Sequence, residues 1–215
     1  MVREGLALAL LGLGFGCGSG ATPARNAEND APHGGMLVLE ATASGTRCER
    51  YFPLVEGIVY QYVISRAAQP AGVVVTRAHR ADALTGELRV GAEAKGFVYR
   101  PEGVMRAGLG VYVLREPLLV GSSWPGAHGG QERVVAVDVI AEVPAGRFAG
   151  CIRTQEDQPG ELLSTFSSTY CPGVGLVVLE VSGDAGDERA ELQSYGPPVD
   201  LGPDGISRIP VTPPP

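Results

Sequence analysis

The sequence predicts an all-β domain: a single antiparallel curved sheet or barrel of about nine or ten strands, placed after a signal peptide and a flexible tether. Three observations carry that prediction. From Tyr51 onward, short segments alternate apolar and polar residues and are rich in Val, Ile and Tyr. Gly- and Pro-bearing turn signals separate them every few residues. No stretch of the mature chain sustains a long 3.6-residue period, which leaves no basis for a helical body.

The N-terminus stands apart from that pattern. Arg3 supplies a positive charge, weakened by Glu4, and Leu6 to Phe15 is apolar. As a helix that run would span about 15 Å, half of a ~30 Å hydrocarbon core, too short for a stable membrane span but suited to the apolar region of a signal peptide. Gly14 and Gly16 lead into Cys17. The stretch "GFGCGSG" resembles a bacterial lipoprotein signal, in which the cysteine becomes the first mature residue and is acylated. Gly14, where an aliphatic residue is usual, and the bulky Phe15 depart from that pattern. Residues 1–16 are therefore read as the signal peptide and Cys17 as the lipidation site, with an ordinary cleaved signal as the alternative. Two or more acyl chains would anchor the chain stably in a membrane. Gly18 is not the aspartate that retains some lipoproteins at the inner membrane, so the resemblance implies outer-membrane sorting. Residues 17–48 are small, polar and proline-containing, which is the composition of a tether.

The β domain is assigned to residues 49–195. "GIVYQYVIS" places Ile58, Tyr60, Tyr62 and Ile64 on one face. "GVVVTRAHR", "GELRVGAEA" and "GFVYRPEG" follow, the last stopped by Pro101, and "LGVYVLREPLLVG" is broken at Pro117. "QERVVAVDVIAEV" alternates Val135, Val137, Val139 and Ala141 against Val134, Ala136, Asp138 and Ile140. "FAGCIRTQE" and "LLSTFSSTY" flank the turn signal "DQPG"; "VGLVVLEVSG" and "ERAELQSY" flank "DAGD". Connections this short join antiparallel strands, because parallel ones need crossovers of about a dozen residues. A sheet of so many strands curls or closes. Residues 196–215 are rich in Pro and Gly and read as an extended, disordered tail.

Four cysteines are present: Cys17, Cys48, Cys151 and Cys171. Outside the cytoplasm thiols oxidise. With a turn centred near residue 161, Cys151 and Cys171 face each other across one hairpin, and this pairing is preferred. The alternative is Cys48 with Cys171, which would pin the start of the domain to the "YCPGVG" segment.

Four segments recur as motifs: "RYFPLVEGIVYQY" (50–62), "VGSSWP" (120–125), "VPAGRFAGCIR" (143–153) and "TYCPGVGLVVLE" (169–180). In this order, across residues 50–182, they resemble the TapB-like group of secreted domains found in bacterial envelope lipoproteins. The chain departs from it at Tyr60, where tryptophan is common. The resemblance implies no catalytic residue. Each motif has a structural reading. Phe52, Pro53 and Gly57 open the first strand. Pro144 and Gly146 turn the chain before the strand that begins near Phe148. Pro172 and Gly173 break pairing, and Gly175 permits a bulge or close backbone approach. Trp124, the only tryptophan, caps one end of the core.

Charge and motif content limit the function classes. The net charge of -7 opposes binding to nucleic acid. Lys95 is the only lysine among 17 basic residues, which reads as the bias of a GC-rich genome. No metal-ligand spacing, phosphate loop or zinc-protease motif occurs, so no metal and no cofactor are expected. "GSSWPG" misses the nucleophile elbow because Pro125 stands where glycine is needed. Asp184, Asp187, Glu188, Glu156 and Asp157 read as solvated turn residues. His33, His79 and His128 are dispersed. The expectation is a lipid-anchored envelope protein whose non-enzymatic β domain binds or scaffolds, partnered with the membrane and with an envelope protein or apolar ligand. The alternative is a carrier that encloses an apolar or lipid ligand in the curved sheet. A contiguous apolar cavity with an open mouth favours the carrier and a filled interior favours scaffolding. A hydrolase would need His or Ser within ~3 Å of a carboxylate in a cleft.

Overall fold

The computed structural model describes residues 46–159, 164–184 and 186–198. The signal peptide, Cys17, the tether up to residue 45 and the tail from residue 199 lie outside the described residues. One helical turn, α1 (Arg47–Tyr51), precedes twelve strands: β1 (Val59–Arg66), β2 (Gln69–Arg80), β3 (Thr85–Val90), β4 (Glu93–Arg100), β5 (Gly103–Arg106), β6 (Val111–Arg115), β7 (Ser123–Pro125), β8 (Gln131–Val143), β9 (Gly146–Gln158), β10 (Ser164–Cys171), β11 (Gly175–Gly183) and β12 (Glu188–Gly196). They form one antiparallel sheet in the order β6-β5-β4-β3-β2-β1-β12-β11-β10-β9-β8-β7. Two meanders, β1–β6 and β7–β12, are thus joined through the β1–β12 ladder.

The sheet is nearly closed into a barrel. Its two edge strands come together where the Trp124 indole N–H donates to the Tyr112 carbonyl at 3.0 Å. Trp124 is 2% exposed, so it closes the seam between β6 and β7 from inside. Closure protects edges that would otherwise present unpaired backbone groups.

The strand count exceeds the nine or ten expected, because β5 and β7 are added. β5 has four residues between the Pro101–Glu102 turn and the turn at 107–110, and β7 has three and contains Pro125. Neither is long enough to show a period. The alternation read for "QERVVAVDVIAEV" also fails. Register shifts interrupt the β8–β9 ladder three times, and Asp138 adopts a φ of 55°. Each bulge flips the pattern, so Val134 and Ala141, read as opposite faces, are both buried, while Val137 and Ile140 are exposed. The ladders of β1 also shift, but there the extra residues, Gln193 and Ala71, lie on the partner strands, so β1 keeps its phase and Ile58, Tyr60, Tyr62 and Ile64 are all buried.

The β9–β10 hairpin has the expected centre. Ser164 pairs with Gln158 and Tyr170 with Ile152, which sets Cys151 opposite Cys171. These two form a disulfide at a sequence separation of 20. Cys48 is a buried free thiol on α1, so the alternative Cys48–Cys171 pairing is not made. Burial raises the Cys48 thiol pKa, with the Glu116 charge adding to it, and keeps the sulfur protonated.

Helix α1 ties the two walls together. Its N-cap Thr46 accepts from the Glu49 N–H. The Cys48 N–H donates to Glu116 Oε1 at 3.0 Å, beyond β6. The Arg50 carbonyl accepts from Gly173 N at 2.8 Å, in the β10–β11 turn. The Tyr51 hydroxyl donates to the Gly150 carbonyl at 2.9 Å, on β9. Phe52 follows the helix as its C-cap and packs on Phe97 of β4 and Tyr170 of β10, with ring centroids 4.9 and 6.2 Å apart. The Tyr99 hydroxyl donates to Phe52 O at 2.9 Å and accepts from Leu54 N at 3.1 Å. A segment of about ten residues thus satisfies its polar groups against strands from both walls.

Candidate functional site

The barrel is not filled. A partly open cavity of about 180 Å³ runs between the two walls. An engineered apolar cavity of roughly 150 Å³ accommodates benzene, so this volume suits an apolar group of about six carbons or slightly more. Most of its lining is apolar or aromatic: Phe52, Leu54, Tyr60, Tyr62, Phe97, Phe166, Tyr170, Leu176 and Leu179. The tyrosine hydroxyls are largely engaged with the fold. Tyr62 donates to the Leu176 carbonyl at 2.9 Å and Tyr60 to the Pro53 carbonyl at 3.4 Å.

Charged groups reach the cavity from two places. On β4, Lys95 and Phe97 are two residues apart and share the inner face; Arg106 of β5 pairs directly with Phe97 and stands over its ring, 5.8 Å from the centroid. Lys95 and Arg106 are half-buried. Burial, and then the neighbouring Arg106 charge, hold the Lys95 ammonium pKa down to about 8. The reading of Lys95 as mere compositional bias therefore misses its placement.

The second place is the β8–β9 ladder, where Glu132 and Glu156 are register partners. Glu156 is fully buried, which corrects its reading as a solvated turn residue. Its Oε1 accepts from His128 N at 2.8 Å and Gly130 N at 2.9 Å, and its Oε2 lies 2.8 Å from His128 Nδ1. Burial alone would raise its pKa; the His128 ring and the two backbone N–H groups outweigh burial and hold it below the ordinary carboxylate value. The β7–β8 loop closes so tightly on this carboxylate that a Cβ on Gly126 would lie 2.1 Å from Glu156 Cδ, and one on Gly130 would lie 2.1 Å from the Asp157 carbonyl. The loop "GAHGG" is thus shaped by the group it clamps. The His128 ring also stacks on Phe166, with centroids 3.6 Å apart. Glu132 has the opposite fate. Burial, with the Glu156 charge across the ladder, pushes its pKa up to about 7.

The expected motif residues lie around this cavity and at the ends of strands. Phe52, Pro53 and Gly175 line it; Trp124 does not. Gly57, Gly146, Gly173 and Gly175 all have positive φ and sit where the chain turns into a strand. Pro144 lies in the two-residue β8–β9 turn, and Pro172 in the β10–β11 turn. Phe148 is half-buried and packs on Tyr195 at 6.2 Å. Lys95, Arg106 and Glu132 are missed by sequence reasoning. The only available signal is their phase: each falls on the inner side of its strand beside an aromatic or aliphatic neighbour. No group of three His, Cys, Asp or Glu side chains among the described residues is arranged to hold a metal ion.

No family model matches the chain, so the TapB-like resemblance rests on its four motifs alone. No curated protein matches it. Two solved structures are similar in fold. A protein from Bacteroides fragilis described as exported, with a YmcC-like fold, is 12% identical; the match covers 68% of this chain and 98% of that one at a TM-score of 0.47. A protein from Parabacteroides distasonis described as a lipoprotein is also 12% identical, with 69% and 99% covered and a TM-score of 0.46.

Proposed function

We propose that this β domain is a carrier: it binds an apolar or amphiphilic small molecule inside its barrel, at the bacterial cell envelope, where acylated Cys17 holds it to the outer membrane. The observation that carries the reading is the partly open cavity of about 180 Å³, walled by aromatic and aliphatic side chains. A scaffold has no use for an interior left unfilled, since empty apolar volume costs about 24 cal/mol per Å³. The envelope placement is supported by the N-terminal signal and by the Cys151–Cys171 disulfide, a bond that persists in oxidising compartments.

The His128–Glu156 contact of 2.8 Å meets the distance set for a hydrolytic pair. It is better explained as a clamp. Both Glu156 oxygens are committed to the β7–β8 loop, and no hydroxyl is hydrogen-bonded to the imidazole among the described residues. Carrying, not catalysis, is the reading proposed.

Native mass spectrometry of the full chain isolated from its own membranes tests it. The expected result is a co-purifying small molecule that is lost in Val90→Trp, which fills the cavity from β3. Ligand-free protein that also takes up nothing from a total lipid extract would overturn the reading.

A further inference from the structure

From the inner-face placement of Lys95 and Arg106, we infer that the occupant is an amphiphile with an anionic head, its charge held by these two side chains and its apolar portion lying against the aromatic wall. This rests on the carrier reading and adds the polarity and orientation of the ligand.

Position supplies the first argument. Side chains on one strand alternate faces, so Lys95 and Phe97 point the same way, and the direct partner of Phe97 on β5 is Arg106. Phe97 is 5% exposed and belongs to the core. Two cations therefore flank a core aromatic ring on the concave surface, where the inner positions of a barrel are ordinarily apolar. Long basic side chains are normally placed so that the stem packs and the head reaches water. Here both are half-buried and line the cavity.

Charge supplies the second argument. Arg106 makes no ion pair with a carboxylate among the described residues; its guanidinium stands over the face of Phe97. The Arg106 pKa is lowered by burial; burial and then the Arg106 charge disfavour the charged form of Lys95, and the Glu93 carboxylate only partly offsets them. Two like charges close together in a partly desolvated site repel each other, and an anion between them relieves that repulsion. A planar guanidinium beside an ammonium suits a carboxylate or a phosphate, with two hydrogen bonds from Arg106 and one from Lys95.

Shape supplies the third. The cavity continues from this pair past Phe97 toward Tyr62, Tyr170 and Leu179, which are buried. The anion would thus lie beside the half-buried cations, with the apolar end against the buried residues. A volume of about 180 Å³ takes only a short apolar segment.

Calorimetric titration of the full chain carrying Cys17→Ser, so that no acyl chain of its own competes for the cavity, tests this. The probes are octanoate, octyl phosphate, 1-octanol, octylamine and acetate. Octanoate or octyl phosphate is expected to bind about tenfold or more tightly than 1-octanol at low salt, with a smaller ratio at high salt. Whichever of the two binds more tightly identifies the head as carboxylate or phosphate. Acetate and octylamine are expected to bind more weakly than 1-octanol. Arg106→Gln and Lys95→Gln should each bring the affinities for octanoate and octyl phosphate down toward that for 1-octanol, with a cooperative urea unfolding transition showing that the variants are folded. Equal affinities for octanoate, octyl phosphate and 1-octanol would overturn the anionic head and leave the carrier reading standing. Failure of every eight-carbon probe would overturn both.

Discussion

The two walls of the barrel are built by different means. The β1–β6 wall combines apolar packing, hydrogen bonds such as those of Tyr99 to Phe52 and Leu54, and partly exposed ion pairs such as Arg80 with Glu49. The shortest of its cation–π contacts, Arg80 over the Tyr99 ring at 3.6 Å, lies near the α1 junction. The β7–β12 wall carries a disulfide between β9 and β10 and a buried carboxylate clamp on the β7–β8 loop. The covalent lock and the fully buried carboxylate thus sit on one side, and the inward cations of the cavity on the other, where ion pairs such as Arg80 with Glu49 stay partly exposed. A clamped wall gives a fixed surface against which the less constrained one can adjust to an occupant. Local stability is commonly distributed this way, with binding elements drawn from the less stable part.

That contrast can be broken experimentally, and the largest effect is expected at the seam between the walls. Trp124→Ala removes a nearly fully buried indole and its bond to the Tyr112 carbonyl. A loss of about 3–5 kcal/mol is expected in urea unfolding, with β6 and β7 amides the first to exchange in hydrogen-exchange measurements. Unchanged stability would mean that the walls do not need that joint.

Removing the disulfide sharpens the comparison from the clamped side. Replacing both Cys151 and Cys171 with alanine opens a loop of sequence separation 20. The chain-entropy account places the cost at about 3 kcal/mol, and reduction of the parent protein should reproduce it. A variant as stable as the parent would show that the second wall is not locked covalently in any useful sense.

The carboxylate clamp comes next. Glu156→Gln is expected to cost about 1–3 kcal/mol at neutral pH, because it weakens charge-assisted bonds to His128 and Gly130 in a buried site. The pH dependence has a definite sign. A carboxyl whose folded pKa lies below its unfolded value contributes stability above about pH 4.3, lost as the pH falls through the folded pKa. The difference between parent and variant should therefore shrink on acidification.

Glu132 gives the smallest effect and the opposite sign. Its folded pKa of about 7 lies above the unfolded value, so the folded state loses stability as the pH rises from about 4.3 through 7. Glu132→Gln should stabilise the protein by about 1–2 kcal/mol at pH 8 and change little at pH 4, a figure reduced from the full shift because the side chain is only partly buried. Urea unfolding at the two pH values checks it.

The sequence is readable where local order repeats. The all-β class, the hairpin centre near residue 161 and the inward set Ile58, Tyr60, Tyr62 and Ile64 follow from period two and turn chemistry. Reading fails where pairing overrides the period. The bulges of β8 have no signature in "VVAVDVIAEV", because any of its small or branched residues could occupy them. The cavity is the clearest case. Lys95 and Arg106 are brought together by the β4–β5 register, and Glu132 and Glu156 by the β8–β9 register. His128 reaches Glu156 across 28 residues, through a loop whose glycines look like an ordinary linker until the carboxylate inside it is seen. Emptiness itself has no sequence signal, since the residues that line this interior are the same types that would fill one.

The central claim is that this interior receives a ligand. Its most direct test is the thermal unfolding midpoint of the full Cys17→Ser chain against rising 1-octanol, beside the same chain with Val90→Trp. A ligand that binds only the folded state raises the midpoint in proportion to the logarithm of its concentration once that exceeds Kd. The expected result is a rising midpoint for the open cavity and a flat or falling one for the filled cavity. Identical falling curves for both proteins would contradict the account.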